Sequence, residues 1–326
     1  MLRLDDLWVW DSWIADDGDR YHLYFLQAPR ALGDPGKRHT SATIGHAVSE
    51  DLVDWEYLGE CFGPAQAGQD RFDDLAIWTG SVVRDGDRWR MFYTAISNAG
   101  HHIYDQRIGS ATSTDLHHWE REDAPALVAD SRWYKTLAEF PSPTTGPDLE
   151  HSSETWRDPF VLPDPAGNGW HMLFTARSND AGKNDDGVIG HARSSDLAAW
   201  TLIAPLTAPG TGFGQLEVLQ SRQIDGHWVL VFTCHPQEMT GQRRARTGDY
   251  CTWSVPGDGP VVPWDIDQAR PFVAEKDLFA APLVQRRDGS WVLLGFRNLE
   301  PYGEDGFEIS DPIPVTLDSR GYVVAC

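Results

Sequence analysis

Three twelve-residue segments repeat along this chain: IGHAVSEDLVDW (44–55), IGSATSTDLHHW (108–119) and IGHARSSDLAAW (189–200). A chain that reuses one unit in this way must stack, or ring, copies of a single supersecondary element. The first half of each segment reads as a strand. The DLxxW part reads as a polar turn closed by a Trp that packs under the unit. Ahead of these segments lie apolar runs in pairs, and such pairs occur five times. The first runs contain VWDSW (9–13), IWTGSVV (77–83), WRDPF (156–160), QLEVL (215–219) and LFAAPLV (278–284). The second runs open with Tyr21, Trp89, Trp170, Trp228 and Trp291. The joining turns are DDGD (16–19), RDGD (84–87), DPAGNG (164–169), DG (225–226) and RDG (287–289). Gly and Asp supply the positive φ values that tight hairpins require.

The second-run aromatics recur every ~60–80 residues, the spacing of four-stranded propeller blades with insertions. The pattern therefore predicts an all-β, five-bladed β-propeller with four antiparallel strands per blade. The blades are expected over 1–60, 78–128, 156–208, 215–274 and 279–326, using the whole of 1–326 as one domain. A four-stranded up-and-down blade puts the start of its first strand and its 2–3 loop on one face. The tight turns then lie on the other. The long 2–3 loops, 27–43, 98–107, 179–187, 236–250 and 298–306, should wall a funnel, and the tight-turn face should be functionally silent.

Three first runs carry an acid near their start: Asp11, Asp158 and Glu217. If they occupy equivalent places, they converge on the axis. The other two runs offer Thr79 with Gly80, and Ala280 with Ala281, which leave room for a ligand. Burying three acids together costs several kcal/mol unless a site needs them. Paired carboxylates are the requirement of glycosidic bond cleavage.

The net charge of −22 argues against nucleic acid and anionic membranes as partners. It reads as a solvated acidic surface. Many of the fifteen Trp residues fall at repeat positions and should be structural: Trp55, Trp89, Trp119, Trp170, Trp200, Trp228 and Trp291. Cys61, Cys234, Cys251 and Cys326 lack metal or redox spacing and read as reduced thiols. His101 and His102 are adjacent and cannot readily face one ligand point, so neither a metal nor another cofactor is expected. His46 and His191 share a repeat position and should be structural. The basic run RRAR (243–246) is expected on a solvated loop. Without an apolar leader, the cytoplasm is the expected compartment.

At these residues the chain resembles the clan of glycoside hydrolase families 32 and 68, the β-fructofuranosidases, inulinases, levanases and levansucrases. VWDSW resembles the nucleophile segment of family 68. WTGSV (78–82) is similar to the WSGS segment of both families, with Thr79 for Ser. WRDPF carries the RDP motif of both, and MFYTA (91–95) with the IGHAxSxDLxxW segments look like family 32. The resemblance implies that Asp11 is the nucleophile, Asp158 the transition-state stabiliser and Glu217 the acid/base. It implies that Trp10, Trp78, Thr79, Arg157 and Gln215 grip the terminal sugar. Mutual repulsion and burial should raise one carboxyl pKa above the others, leaving Glu217 protonated while Asp11 is ionised.

The NDPNG of family 32 is absent, and Glu217 is followed neither by the Cys-Pro of family 32 nor by the Arg of family 68. The C-terminal β-sandwich of family 32 is not expected in this chain. The reading is a retaining hydrolase of β-D-fructofuranosides such as sucrose or fructans, hydrolytic or fructosyl-transferring, with carbohydrate as its partner. The alternatives are an inverting pentosidase of the family 43 kind and a non-catalytic sugar-binding propeller.

Overall fold

The computed structural model describes residues 1–66, 71–98, 105–136, 154–182, 184–297 and 306–326. Among these, strands follow one another as four antiparallel meanders and a split fifth unit. The first sheet is β1 (Leu7–Asp16), β2 (Tyr21–Pro29), β3 (Thr43–Ser49) and β4 (Glu56–Phe62). The second is β5 (Ala76–Asp85), β6 (Arg88–Ile96), β7 (Gln106–Ser113) and β8 (Glu120–Arg121). The third is β9 (Trp156–Pro163), β10 (Trp170–Arg177), β11 (Gly187–Ser194) and β12 (Thr201–Ile203). The fourth is β13 (Glu217–Ile224), β14 (His227–Thr233), β15 (Thr252–Gly257) and β16 (Arg270–Pro271).

The last unit runs β17 (Leu278–Phe279), β18 (Leu283–Gln285), β19 (Trp291–Leu293), β20 (Phe296–Arg297), β21 (Glu308–Ile309), β22 (Ile313–Leu317) and β23 (Val323–Ala325). It pairs as β17-β20-β21 and β18-β19-β22-β23. The split falls where Ala280, Ala281 and Pro282 interrupt the first run. Ala280 takes a positive φ of 43°, and Pro282 has no N–H for a ladder. One boundary differs from expectation. Leu2 pairs antiparallel with Ile309, so the N-terminus joins the last unit and not the first.

The expected hairpins all form, each with a positive-φ residue in its turn: Gly18, Gly86, Gly167, Gly226 and Gly289. The DLxxW segments form one turn three times. Asp51, Asp115 and Asp196 each accept two backbone N–H bonds from the residues two and three positions on, at 2.8–2.9 Å. The intervening Leu52, Leu116 and Leu197 sit at φ 63–68° and are almost fully buried. A Leu is strained in this left-handed region. The two charge-assisted bonds and the buried side chain offset the strain. Trp55, Trp119 and Trp200 pack against the core from below, as expected.

The glycine of each IG pair also has a reason. Gly45, Gly109 and Gly190 face Phe25, Tyr93 and Phe174 across the ladder. A Cβ at Gly190 would lie 2.0 Å from a ring carbon of Phe174. That ring is fully buried, with its centroid 4.3 Å from that of Trp156, so it cannot yield. Gly190→Ala is expected to destabilise the fold by about 1–3 kcal/mol through overpacking. A melting curve unchanged from wild type would refute this account of the repeat.

The core lies between sheets. One apolar cluster joins the first, second and last units, and others fill the second–third, third–fourth and fourth–last gaps. The first strands of the four meanders, β1, β5, β9 and β13, lie side by side. Single side chains stitch them together. Ser81 Oγ accepts from Val161 N–H at 3.2 Å, and Gln220 Oε1 accepts from Leu283 N–H at 2.9 Å.

Candidate active site

Each first strand is broken at the position that matters. The β1–β2 register slips between Trp10 and Ser12, leaving Asp11 unpaired at φ 22°. The β5–β6 register slips between Trp78 and Gly80, isolating Thr79. The β9–β10 register slips around Asp158, at φ 57°, and the β13–β14 register slips between Glu217 and Gln220, with Val218 at φ 48°. A bulge re-aims the side chain it carries. Here Asp11, Thr79 and Asp158, re-aimed by the first three slips, and Glu217, beside the fourth, meet in one cavity of about 300 Å³.

The equivalence expected from the repeat holds for Asp11 and Asp158 but is one residue off for Glu217. The unpaired residues of the fourth sheet begin at Val218, and Glu217 still pairs, opposite Thr233. Its true counterparts are Arg157, Trp78 and Trp10, the last paired residues before each slip. An apolar-run alignment cannot see this, because bulge and pairing position differ by a single backbone step.

Asp11, Asp158 and Glu217 all line the cavity, together with Trp10, Trp78, Thr79, Arg157 and Gln215. Thr79 donates its hydroxyl to Asp11 Oδ2 at 3.0 Å. Asp158 Oδ2 lies 2.8 Å from Thr175 Oγ1 and accepts the Val218 N–H at 3.3 Å. The Arg157 guanidinium donates through Nη2 to Gln215 Oε1 and Glu217 Oε1, and its Nε lies 3.5 Å from Asp158 Oδ2. One planar fork therefore spans two of the three acids.

The loop 27–43 supplies Arg38 and His39, and the loop 236–250 supplies Gln237 and Glu238. Within 179–187 no described residue lines the cavity. Asn184 instead donates to the Gln237 and Met239 carbonyls, supporting the neighbouring loop. The loop 98–107 supplies Gln106, while its residues 99–104, including His101 and His102, lie outside the described set, as do 298–305. Arg38 stacks 5.7 Å from Trp10 and 5.1 Å from Phe307, and its charge draws the Asp11 pKa down. No repeat signal marked Arg38, His39, Gln106, Thr155, His235, Gln237, Glu238, Phe279 or Phe296. They lie in insertions or unremarkable strand positions and reach the cavity only through the tertiary fold.

The electrostatics also differ from expectation. Burial raises all three carboxyl groups, not one. Asp11 is pushed up to about 7 by burial and then by Asp158, against Thr79, Arg38 and Arg157. Glu217 is pushed up to about 7 by burial, with Asp158 and Glu238 adding to it and Arg157 opposing it. Asp158 is raised by burial and restrained by Arg157. Such acids titrate as a set rather than singly. Glu238→Gln removes a charge that holds the proton on Glu217. The alkaline limb of kcat/KM is therefore expected to move to lower pH, with activity at pH 8 falling more than at pH 6. A limb that stays in place or moves upward would count against Glu217 as the proton donor.

Three other expectations resolve outside the cavity. His46 and His191 are structural: each is buried and hydrogen-bonded to a partner the repeat reading passed over, His22 at 3.0 Å and His171 at 2.9 Å. The RRAR run is solvated at Arg244, Ala245 and Arg246, as expected, but it is helical and Arg243 is not solvated. It forms helix α1 (Gly241–Thr247), whose Arg243 is buried over Phe213 and Trp253 and donates to the carbonyls of Asp267 and Ala269. Carbonyls from two separate segments, Thr211 and Ile266–Ala269, accept from its terminal nitrogens, which no local composition could reveal. The four cysteines are free thiols.

Known proteins share this architecture. A solved inulosucrase from Halalkalicoccus jeotgali superposes with a TM-score of 0.74 at 21% identity, covering 98% of this chain and 87% of that one. Bacillus subtilis levansucrase gives a TM-score of 0.74 at 15% identity, covering 98% and 86%. In sequence, a sucrose-6-phosphate hydrolase of Zymomonas mobilis is 24% identical over 318 residues, 91% of this chain and 55% of its own length. An invertase of Wickerhamomyces anomalus is 25% identical over 234 residues, 68% of this chain and 37% of its own. The chain thus spans about half the length, or less, of these curated relatives. The model of the glycosyl hydrolases family 32 N-terminal domain matches residues 14–308, a span that begins just after Asp11 and includes Asp158 and Glu217. With nearly the whole chain matched, the protein belongs to glycosyl hydrolase family 32.

Proposed function

We propose that the chain is a retaining glycoside hydrolase of β-D-fructofuranosides, sucrose or fructans, built as one five-bladed propeller. The five units would be its blades, the last one split at Ala280–Pro282, with the Leu2–Ile309 bridge closing the ring. The observation that carries the reading is the meeting of Asp11, Asp158 and Glu217 around Arg157 in one cavity. The family 32 match favours fructosides over the pentosidase alternative.

In this mechanism Glu217 donates its proton to the glycosidic oxygen while an Asp11 carboxylate oxygen bonds to the anomeric carbon. The C–O bond breaks and the leaving group departs as an alcohol. Asp158, anchored by Thr175 and the Val218 N–H, hydrogen-bonds the sugar hydroxyls as positive charge grows on the ring. Water, or a second sugar, then gives its proton to Glu217 and attacks the anomeric carbon, and Asp11 is released. Thr79 steadies the Asp11 carboxylate. Trp10, Trp78 and Gln215 shape the subsite.

The test is release of reducing sugar from sucrose, inulin, levan and aryl arabinofuranosides side by side, with NMR of the first-formed anomer. Fructose released with retention is expected. Turnover of the arabinofuranosides alone, or inversion, would overturn the proposal.

A further inference from the structure

The face bearing the tight turns, expected to be silent, carries a second and larger cavity of about 460 Å³. Its mouth is framed by residues at the hairpins: Asp16, Arg84, Pro163, Trp170, Gln285 and Trp291. Its inner end meets the floor of the candidate active site, because Thr79 and Asp158 line both cavities. Most of the residues that line it are aromatic or aliphatic, although much of the exposed wall is polar.

One charged group on this wall stands apart. Arg222, from β13, lines the cavity with its guanidinium 4.9 Å from the Phe160 ring centroid. Its Nε–H is fully buried and donates to nothing. Among the described residues no carboxylate pairs with it. Burial alone lowers its pKa, to about 10, with no neighbouring charge contributing. The other charges at the mouth are committed elsewhere. Arg84 donates to the Gly86 and Asp87 carbonyls and stacks on Trp89, and Asp16 pairs with Arg287 at 2.8 Å. The side chain is half-buried, its enclosed Nε has no acceptor, and stacking on one ring offsets only part of that loss.

We propose that this cavity is a binding site for a small organic monoanion, a carboxylate with an apolar body, held by Arg222. A single uncommitted cation calls for one negative charge rather than a phosphate dianion. The walls of Phe160, Trp170 and Trp291 with Val83, Leu162 and Val284 call for a ligand whose remainder is apolar. The Arg222 fork matches carboxylate geometry. The site is independent of the fructoside reading, since it lies on the opposite face and needs no turnover.

The test is calorimetric titration of the full chain with phenylacetate and with its neutral isostere phenylacetamide, repeated in Arg222→Met. Phenylacetate is expected to bind at least about tenfold more tightly than the amide, and the variant should lose that preference. Added fructose should leave the binding unchanged. Equal affinity for acid and amide would overturn the proposal, and this wild-type comparison needs no variant to fold. Displacement by fructose that persists in Arg222→Met would place the ligand in the other cavity and also overturn it. So would displacement by equimolar chloride or phosphate, which would mark a site for inorganic ions only.

Discussion

Asp11→Asn is expected to abolish turnover, by roughly four decades or more, while leaving the fold and sugar binding nearly intact. The Asn amide cannot form the glycosyl ester, yet its oxygen can still accept the Thr79 hydroxyl. The same variant should be more stable than wild type. The Asp11 pKa is raised from 3.8 to about 7 in the folded state. The folded protein therefore holds this proton more tightly than the unfolded chain. Its contribution to stability is full below the unfolded value and is lost as pH rises towards about 7. Above that, the buried charge costs on the order of a few kcal/mol, which Asn removes. The melting temperature of the variant should thus exceed that of wild type by several degrees at pH 8, with a smaller gain at pH 5. Retention of more than a few per cent of activity would place the nucleophile elsewhere. A melting difference that does not grow with pH would remove the case for a raised Asp11 pKa.

Glu217→Gln is expected to divide substrates by their leaving groups. If Glu217 is the proposed proton donor, a fructoside with a poor leaving group should lose roughly two to four decades in rate. An activated aryl fructoside needs little protonation, so its first step should be nearly spared and the glycosyl–Asp11 ester should accumulate. Azide, which attacks without a general base, should then restore release and yield the glycosyl azide. The substitution also removes one of the two carboxylates that the Arg157 fork spans. Some loss of sugar affinity is therefore expected along with the rate. Uniform losses across all leaving groups, with no azide effect, would assign the proton transfer to another group, such as Glu238, which also lines the cavity.

What was legible in the sequence was what short-range chemistry dictates. Alternating apolar runs, Gly and Asp in tight turns, and the DLxxW turn are each decided within a dozen residues, so the strand pairs fell where expected. The order of the sheets followed from repetition. Asp11, Asp158 and Glu217 were visible because an acid inside an apolar run is costly and so stands out. The one-residue offset of Glu217 was not visible. A bulge changes which face a side chain takes without changing the composition around it, and only the ladder register reveals it.

The tertiary structure decided the rest, because the remaining features join segments far apart in the chain. Arg38 reaches Asp11 only because an insertion folds back over Trp10. Glu238 comes near Glu217 through a loop held by Asn184 and Arg177. Arg243 leaves water because carbonyls from 211, 266, 267 and 269 converge on it. The raised pKa values arise from burial that no single strand provides. The cavity around Arg222 is lined by residues of five separate strand pairs, which no one segment announces. The sequence by itself thus determined the units and the acids they carry, through local turn and pairing energetics. The register of those acids, their shared protonation and the cations around them were decided only when distant surfaces excluded water together.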